Sequence, residues 1–291
     1  MNKPLDPIYL HKYLRQKRSG FTLAELAIVL LIVGLLLAGL LTPLSTQVDI
    51  KRRNDTQKAL EEMKEALIGF AIANGRLPCP APDQLGSDNL GATPTITPNP
   101  PGSTKTFTCN SFEGFFPHQA LGLGQSDAWG NLFRYRVDAS FARRVENCTL
   151  PGGGGVCNQT SSFDLSTTPT LVVNTRTDNP ATPPPTIEAK FLSPLTSAAS
   201  RPPVIIISHG KNGLGTLTVS GTPLGTPAVG TDEYIDADTT QSAKISRTPT
   251  AAQAGCSDTA EGQPFCEFDD LVSWLPLSIL RGRMVSAGRL P

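Results

Sequence analysis

The most prominent feature of the hydrophobic pattern is one uninterrupted apolar segment near the start of the chain. Residues 21–44 read FTLAELAIVLLIVGLLLAGLLTPL, and Glu25 is the only charged residue among them. As an α-helix, a segment of this length extends roughly 36 Å, which exceeds the roughly 30 Å of a bilayer hydrocarbon core. A cleaved secretory signal has a shorter apolar region of about 7–15 residues. The pattern therefore predicts a transmembrane helix over residues 21–44.

The pattern becomes amphipathic after Pro43. Apolar residues recur at helical spacing between charged positions, and they are Leu60, Met63, Leu67 and Phe70. Gly75, followed by Pro78, is typical of a helix C-terminus. The sequence therefore predicts one helix from near residue 21 to residue 74, bent at Pro43. Its amphipathic part, residues 45–75, needs a sheet to pack on, and residues 76–291 are expected to provide it in a globular domain.

Several later segments have the pattern of strands. Residues 131–138 alternate apolar and polar positions, residues 171–173 form a short apolar run, and residues 203–208 are continuously apolar, as in a central strand. Residues 268–275 and the apolar tail at residues 279–280 either complete this sheet or cover it. Residues 90–105 and 178–186 are rich in Pro, Thr and Asn and are predicted to be surface loops, as is the glycine-rich segment 151–156.

Composition narrows the class of protein. The hydrophobic fraction of 39% can fill a core, which excludes a disordered chain, and 26 Gly with 26 Pro exclude a helical bundle. Lys and Arg number 25 and Asp and Glu number 25, so a generally basic surface for nucleic acid is disfavoured, although it is not excluded. The first 20 residues are basic, which favours a cytoplasmic N-terminus.

All six cysteines follow the apolar segment, as expected for disulfides in an oxidising compartment such as a bacterial periplasm. They are Cys79, Cys109, Cys148, Cys157, Cys256 and Cys266. Six cysteines allow 15 pairings. Short separations favour local bridges from Cys148 to Cys157 and from Cys256 to Cys266, which leaves Cys79 for Cys109. The absence of C-x-x-C spacing disfavours a zinc site.

Glu25 is costly in a membrane-spanning helix unless a cation lies nearby. The string KRSGFTLAE, residues 17–25, resembles the leader and cleavage site of the type IV pilin and type II secretion pseudopilin superfamily. The resemblance implies that residues 1–20 are a prepilin leader, that a prepilin peptidase cuts between Gly20 and Phe21, and that the new amine on Phe21 is methylated. It also implies that Glu25 pairs with this amine on a neighbouring subunit.

Later segments support the same resemblance. RLPCPA at residues 76–81, PHQALGL at residues 117–123, DAWGNLFRY at residues 127–135 and VIIISHGKNG at residues 204–213 are similar to the soluble domains of pseudopilins and minor pilins, where a D-x-W-G turn introduces a strand. The resemblance implies an α+β, pilin-like fold, with the long helix packed on an antiparallel sheet and with long Pro-, Gly- and Thr-rich loops.

Two other groups of residues are candidate sites. Carboxylates lie within seven residues at Asp232, Glu233, Asp236 and Asp238, and Asp269 and Asp270 are more distant candidates. Major pseudopilins bind calcium in a comparable late loop, so calcium, with Asp232, Asp236 and Asp238 as its ligands, is a candidate cofactor against the commoner interpretation of an acidic, solvated loop. No other cofactor is expected. Ser208 precedes His209, but adjacent strand residues point to opposite faces, and no G-x-S-x-G motif is present. Hydrolytic chemistry is therefore disfavoured.

These features predict a non-enzymatic filament subunit, a minor pilin or pseudopilin, of a type IV pilus or a type II secretion pseudopilus. It is expected to cross the bacterial inner membrane once, with its C-terminal domain in the periplasm. Its expected partners are the prepilin peptidase, other pilin or pseudopilin subunits, the inner-membrane assembly machinery and the lipid bilayer. The alternative is a single-pass, membrane-anchored periplasmic enzyme or binding protein, which would keep an intact N-terminus.

Overall fold

The computed structural model describes residues 22–177, 191–260 and 262–290. The predicted leader, the bond between Gly20 and Phe21 and the loop predicted at residues 178–186 lie outside these ranges. The chain divides into two compact units, Met1–Ile50 and Lys51–Pro291. The second unit contains every strand and all three disulfides of the described residues.

Helix α1 spans Leu23–Asn74, 52 residues, and it continues through Pro43. Its end agrees with the prediction, because Gly75 adopts φ +65° and donates its N–H to the carbonyl of Ala71. Within the part of the chain that the structure describes, no helix combines the length and apolar character needed to cross a membrane. The membrane span over residues 21–44 stays a prediction.

The second half of α1 buries the predicted apolar stripe. Leu60, Met63 and Leu67 lie in the main hydrophobic core, whereas Phe70 is half-buried with the Arg76 guanidinium over its ring. The last carbonyls of α1 are satisfied from a distant part of the chain, because the Arg289 guanidinium donates to Ile72 at 2.5 Å and to Ala73 at 2.7 Å. The helix is thus held along its face and at its end.

Eleven strands and four further helices are described, together with two 3₁₀ turns, Pro151–Gly153 and Ala198–Ser200. The strands are β1 (Thr95–Asn99), β2 (Gly102–Phe107), β3 (Glu113–Phe115), β4 (Arg134–Val137), β5 (Arg144–Leu150), β6 (Gly154–Thr160), β7 (Val172–Thr177), β8 (Phe191–Pro194), β9 (Val204–Ser208), β10 (Ala243–Ile245) and β11 (Leu271–Leu275). The helices are α2 (His118–Leu121), α3 (Ala139–Ala142), α4 (Asp232–Ala237) and α5 (Leu277–Ser286).

The sheet against which α1 packs has the antiparallel order β11-β9-β4-β3. β9 is buried along its whole length between β11 and β4, which confirms the central strand predicted over residues 203–208. Ile206 and Tyr135 face the core that contains α1, while Ile205 and Ile207 face Leu171 and Val173 on the opposite side. Both predicted roles of the C-terminal residues are observed, because β11 completes the sheet and α5 covers the core.

A second antiparallel sheet, β1-β2-β5-β6, includes much of residues 90–105, so the prediction of a loop there is wrong. The segment is rich in Pro and Thr, but β1 pairs with β2 and β2 pairs with β5 far along the chain. Pro98 is tolerated because β1 is an edge strand. Residues 151–153 form the turn between β5 and β6, which is closed by the disulfide between the opposed Cys148 and Cys157. Residues 154–156 begin β6, so the loop predicted over residues 151–156 is wrong for its second half.

The third sheet has the order β10-β7-β8, and its β10–β7 pair is parallel, so the fold is not purely antiparallel. The structure also joins Cys79 to Cys109 and Cys256 to Cys266. The bridges Cys148–Cys157 and Cys256–Cys266 are the two that the short separations favoured, and Cys79–Cys109 is the pair that this choice left over. The observed architecture is therefore α+β, with the N-terminal helix on largely antiparallel sheets.

We expect Leu67→Ala to lower the free energy of unfolding by about 2–5 kcal/mol, because Leu67 is fully buried against the sheet and the substitution leaves a cavity. The matched control is Leu85→Ala, since the Leu85 side chain is 65% exposed. Urea unfolding of the full chain in detergent micelles measures both variants. Equal losses in the two variants would contradict the position of the helix.

Candidate functional site

The first site is the start of α1, where Thr22 and Glu25 form a reciprocal cap. The Thr22 N–H and hydroxyl each donate to Glu25 Oε2 at 2.9 Å, and the Glu25 N–H donates to the Thr22 hydroxyl at 3.2 Å. This is the pattern of a capping box, in which an N-cap threonine and a glutamate three residues later satisfy each other's backbone donors. The carboxylate is thereby held at the end of the chain that the predicted cleavage would expose.

The predicted calcium ligands lie on or beside a helix rather than on an acidic loop, and this prediction of a loop is wrong. α4 begins after Thr231, whose hydroxyl accepts the N–H of Tyr234 as an N-cap. Asp232 and Asp236 are buried on α4, whereas Asp238 follows its last residue and is half-buried. The sequence suggested a loop because six residues are too few to show helical periodicity.

These three carboxylates also have separate partners. Asp232 forms ion pairs with Arg176 at 2.7 Å and with Arg247 at 2.8 Å. Asp236 accepts the backbone N–H of Ile245 at 2.6 Å. Asp238 accepts the N–H and hydroxyl of Thr240, at 2.8 Å and 2.7 Å. The structure therefore does not bring Asp232, Asp236 and Asp238 together as one ligand set.

Among the residues that the structure describes, a different set of carboxylates converges. Oxygens of Glu233, Asp269 and Asp270 lie within 4.8 Å of one another, and all three residues are buried. Glu233 comes from α4, and the two aspartates come from the segment immediately before β11. Long-range packing builds this group. The sequence offered Glu233 within the acidic run at residues 232–238 and the two aspartates as more distant candidates, but no local pattern joined them.

The turn after β9 orients two of these carboxylates. Asp269 Oδ2 accepts the backbone N–H groups of Lys211 at 2.8 Å and Asn212 at 2.9 Å. The Asn212 side-chain amide donates to both oxygens of Glu233, at 3.1 Å and 3.2 Å. Among the described residues, Asp269 Oδ1 is buried without a hydrogen-bond partner. An oxygen in this position is available to a cation.

Burial and mutual repulsion raise the pKa of two carboxyl groups in this set, Glu233 and Asp270. Burial raises the pKa of Glu233 to about 8, and the negative charges of Asp270 and Asp269 add to the effect. Burial, and then the charge of Asp269, also raise the pKa of Asp270 well above its ordinary value. Burial lowers the pKa of His209 to about 3, so the imidazole beside Asp270 is neutral. Protons or a cation must therefore balance the carboxylates near neutral pH.

Ser208 and His209 do not form a nucleophile and base. The Ser208 hydroxyl donates to Asp127 Oδ2 at 2.7 Å, whereas His209 Nδ1 lies 3.2 Å from the Asp270 carboxylate. Asp127 Oδ1 accepts the N–H groups of Trp129 and Asn131, which closes the predicted D-x-W-G turn ahead of β4. Ser208 therefore anchors this turn to the central strand.

Two comparisons identify what the chain resembles. Residues 15–41 match the model of the prokaryotic N-terminal methylation motif. Over 155 residues the chain is 26% identical to the type II secretion system core protein G of Aeromonas hydrophila, covering 52% of this chain and 96% of that relative. No solved structure matches the chain. The chain carries the prepilin-type motif of the type IV pilin and type II secretion pseudopilin superfamily.

Sequence reasoning missed one buried cation of this pilin-like chain. Lys244 is fully buried, and its ammonium group donates to Glu113 Oε1 at 3.1 Å and to the carbonyls of Asp236 at 3.1 Å and Asp238 at 2.7 Å. It therefore caps the C-terminus of α4 and connects it to β3. A single lysine between Ala243 and Ile245 gave no signal of this role.

In EDTA, we expect the free energy of unfolding of the wild-type chain to fall relative to Glu233→Gln as the pH rises from about 5 to 8. The folded state keeps the Glu233 proton in this window because its pKa is raised, whereas the unfolded state releases it. The relative loss is at most about 1.4 kcal/mol per pH unit. Urea titrations at several pH values measure the free energy of unfolding of both proteins. Parallel curves of this free energy against pH would refute the prediction.

Proposed function

We propose that this chain is a minor pilin or pseudopilin, cut by a prepilin peptidase between Gly20 and Phe21 and assembled into a type IV pilus or a type II secretion pseudopilus. One observation carries the proposal: the methylation motif over residues 15–41 coincides with the start of a 52-residue helix whose second half packs on an antiparallel sheet. The similarity to a type II secretion core protein supports the same role.

The capping box gives Glu25 two uses in this proposal. In the isolated chain, the Thr22 N–H and hydroxyl satisfy its carboxylate. After cleavage, the amine of Phe21 would lie one residue before Thr22, and the same carboxylate would pair with that amine on a neighbouring subunit. The Glu25 carboxylate would thus exchange the neutral donors of Thr22 for an ammonium group. Hydrogen bonds from a charged donor are stronger than those from a neutral donor. The subunit would be anchored in the inner membrane and held in the filament by this pair.

The proposal predicts a mature N-terminus at methylated Phe21 when the chain is produced with an active prepilin peptidase. N-terminal mass spectrometry measures the product, and Gly20→Ala is expected to abolish cleavage because the peptidase requires the glycine. Expression without the peptidase is the control. An intact Met1 terminus despite active peptidase would refute the proposal and favour an anchored periplasmic enzyme or binding protein.

We also propose that calcium is a cofactor of this subunit and that Glu233, Asp269 and Asp270 hold it, in place of Asp232, Asp236 and Asp238. The residues fit a hard divalent cation, because they offer several carboxylate oxygens, one of them buried without a partner. The ion would balance the buried negative charge and fasten α4 to the segment before β11. Its role would be structural.

At pH 8, calcium at about 100 times its dissociation constant is expected to stabilise the full chain by about 2.7 kcal/mol. Asp269→Asn is expected to lose most of this gain because it removes one charge from the ligand set. Glu62→Asn serves as the control, since Glu62 is exposed on α1. Thermal unfolding in micelles with and without calcium measures the effect, and an equal gain in both variants would exclude this site.

A further inference from the structure

A groove runs between the second half of α1 and the edge strand β11. Its volume is about 640 Å³, which lies in the range typical of binding clefts. One wall is formed by α1 around Arg53, Gln57 and Lys58, and the other is formed by β11 at Leu271 and Ser273. All of these residues belong to the second compact unit. The groove is separate from the cap formed by Thr22 and Glu25.

The strand wall of the groove has a free edge. β11 is the last strand of the order β11-β9-β4-β3, so within the described residues only one of its edges is paired. Just before β11, Phe268 exchanges two backbone hydrogen bonds with Thr250, so the free edge begins at Leu271. The opposite end of the same sheet is protected, because Ala81 exchanges two backbone hydrogen bonds of 2.9 Å with Phe115 on β3. A free strand edge presents N–H and C=O groups that an extended peptide can pair with.

The helical wall supplies positive charge. Among the described residues, no ion pair or hydrogen bond joins the side chain of Arg53 or Lys58 to another group. The nearby Glu61 is paired with Lys64 at 2.7 Å, and the Arg247 guanidinium is paired with Asp232 and Asp258. Within the described ranges, the groove therefore presents two cations without an ion pair, and its lining also includes the buried carboxyl group of Asp270.

Both cations lie on the helical wall of the groove. Arg53 and Lys58 are five residues apart on α1, which corresponds to a rise of roughly 7.5 Å and a rotation of roughly 140° about the helix axis, and both line the groove. Alternate side chains of an extended strand point to the same face. A strand bound along β11 with carboxylates at alternate positions would therefore present negative charge toward both cations. An anionic lipid surface would use the cations but would leave the edge of β11 unpaired.

We infer that this groove binds an extended acidic segment of a partner protein, which adds to β11 as a further strand and places alternate carboxylates against Arg53 and Lys58. The inference goes beyond the role of filament subunit and does not require it. Backbone pairing would supply the register, and the two cations would select acidic partners over basic ones.

The test uses the full chain in detergent micelles and a fluorescein-labelled peptide, TVEVEVEVT, whose binding is followed by fluorescence anisotropy. We expect saturable binding that weakens with added salt. A peptide with lysine in place of glutamate is expected to bind at least about 10-fold more weakly, because it repels both cations. A peptide N-methylated at alternate backbone nitrogens is expected to lose about 10-fold, because it lacks the donors for strand pairing.

The variant Arg53→Gln/Lys58→Gln is expected to bind the acidic peptide about 10-fold more weakly, which corresponds to about 1.4 kcal/mol for two ion pairs. The matched control is Lys51→Gln/Arg52→Gln, which removes the same charge from the same helix outside the groove. It is expected to change binding by less than about twofold. Because all four side chains lie outside the hydrophobic core, both variants are expected to fold.

Three outcomes would overturn the inference. The first is an equal loss of peptide affinity in the groove variant and its control, which would show that only the net charge of the chain matters. The second is undiminished binding of the N-methylated peptide, which would exclude strand addition. The third is displacement of the peptide by phosphatidylglycerol but not by phosphatidylcholine in mixed micelles, which would assign the cations to a lipid headgroup.

Discussion

The packing of the second half of α1 on the antiparallel sheet is the interaction on which the rest of the structure depends. An amphipathic helix of this length cannot bury its own apolar stripe, so Leu60, Met63 and Leu67 require a partner surface. The central strand β9 and its neighbours provide that surface. A polar contact fixes the alignment, because the buried Thr56 hydroxyl accepts the N–H of Ala128 in the D-x-W-G turn.

A second constraint operates on the far side of the sheet, where apolar residues are few and charged groups replace them. Asp232 lies between Arg176 and Arg247, and Lys244 lies between Glu113 and the end of α4. Such pairs are weak evidence for stability, because desolvation offsets most of their attraction, but breaking one leaves a costly buried charge. The segment between β9 and β11 is therefore specified by charge pairing. Its carboxylates at Glu233, Asp269 and Asp270 converge within 4.8 Å of one another, and burial raises the pKa of Glu233 and of Asp270.

The features linked to function differ in how the chain builds them. The motif at the start of the chain is local, and it relates Glu25 to the residues immediately before it. The groove beside β11 and the carboxylate group arise from residues far apart in the chain. In a filament subunit, the first would serve assembly, which all subunits share, and the second would distinguish this subunit from others. The longer chain relative to its 155-residue match gives room for such individual surfaces.

The sequence alone determined the helix that ends at Asn74, the buried strand over residues 204–208, the turn at Asp127 and the N-terminal methylation motif, because periodicity, glycine geometry and contiguous motifs are local properties. The cysteine separations also pointed to two of the three disulfides, and the third was the pair left over. Only the tertiary structure decided the rest. It made strands of residues 95–107, because their partners include β5, about 40 residues later. It made a helix of residues 232–237, and it replaced the expected ligand set by Glu233, Asp269 and Asp270. These features depend on pairing between distant segments, which no local pattern records.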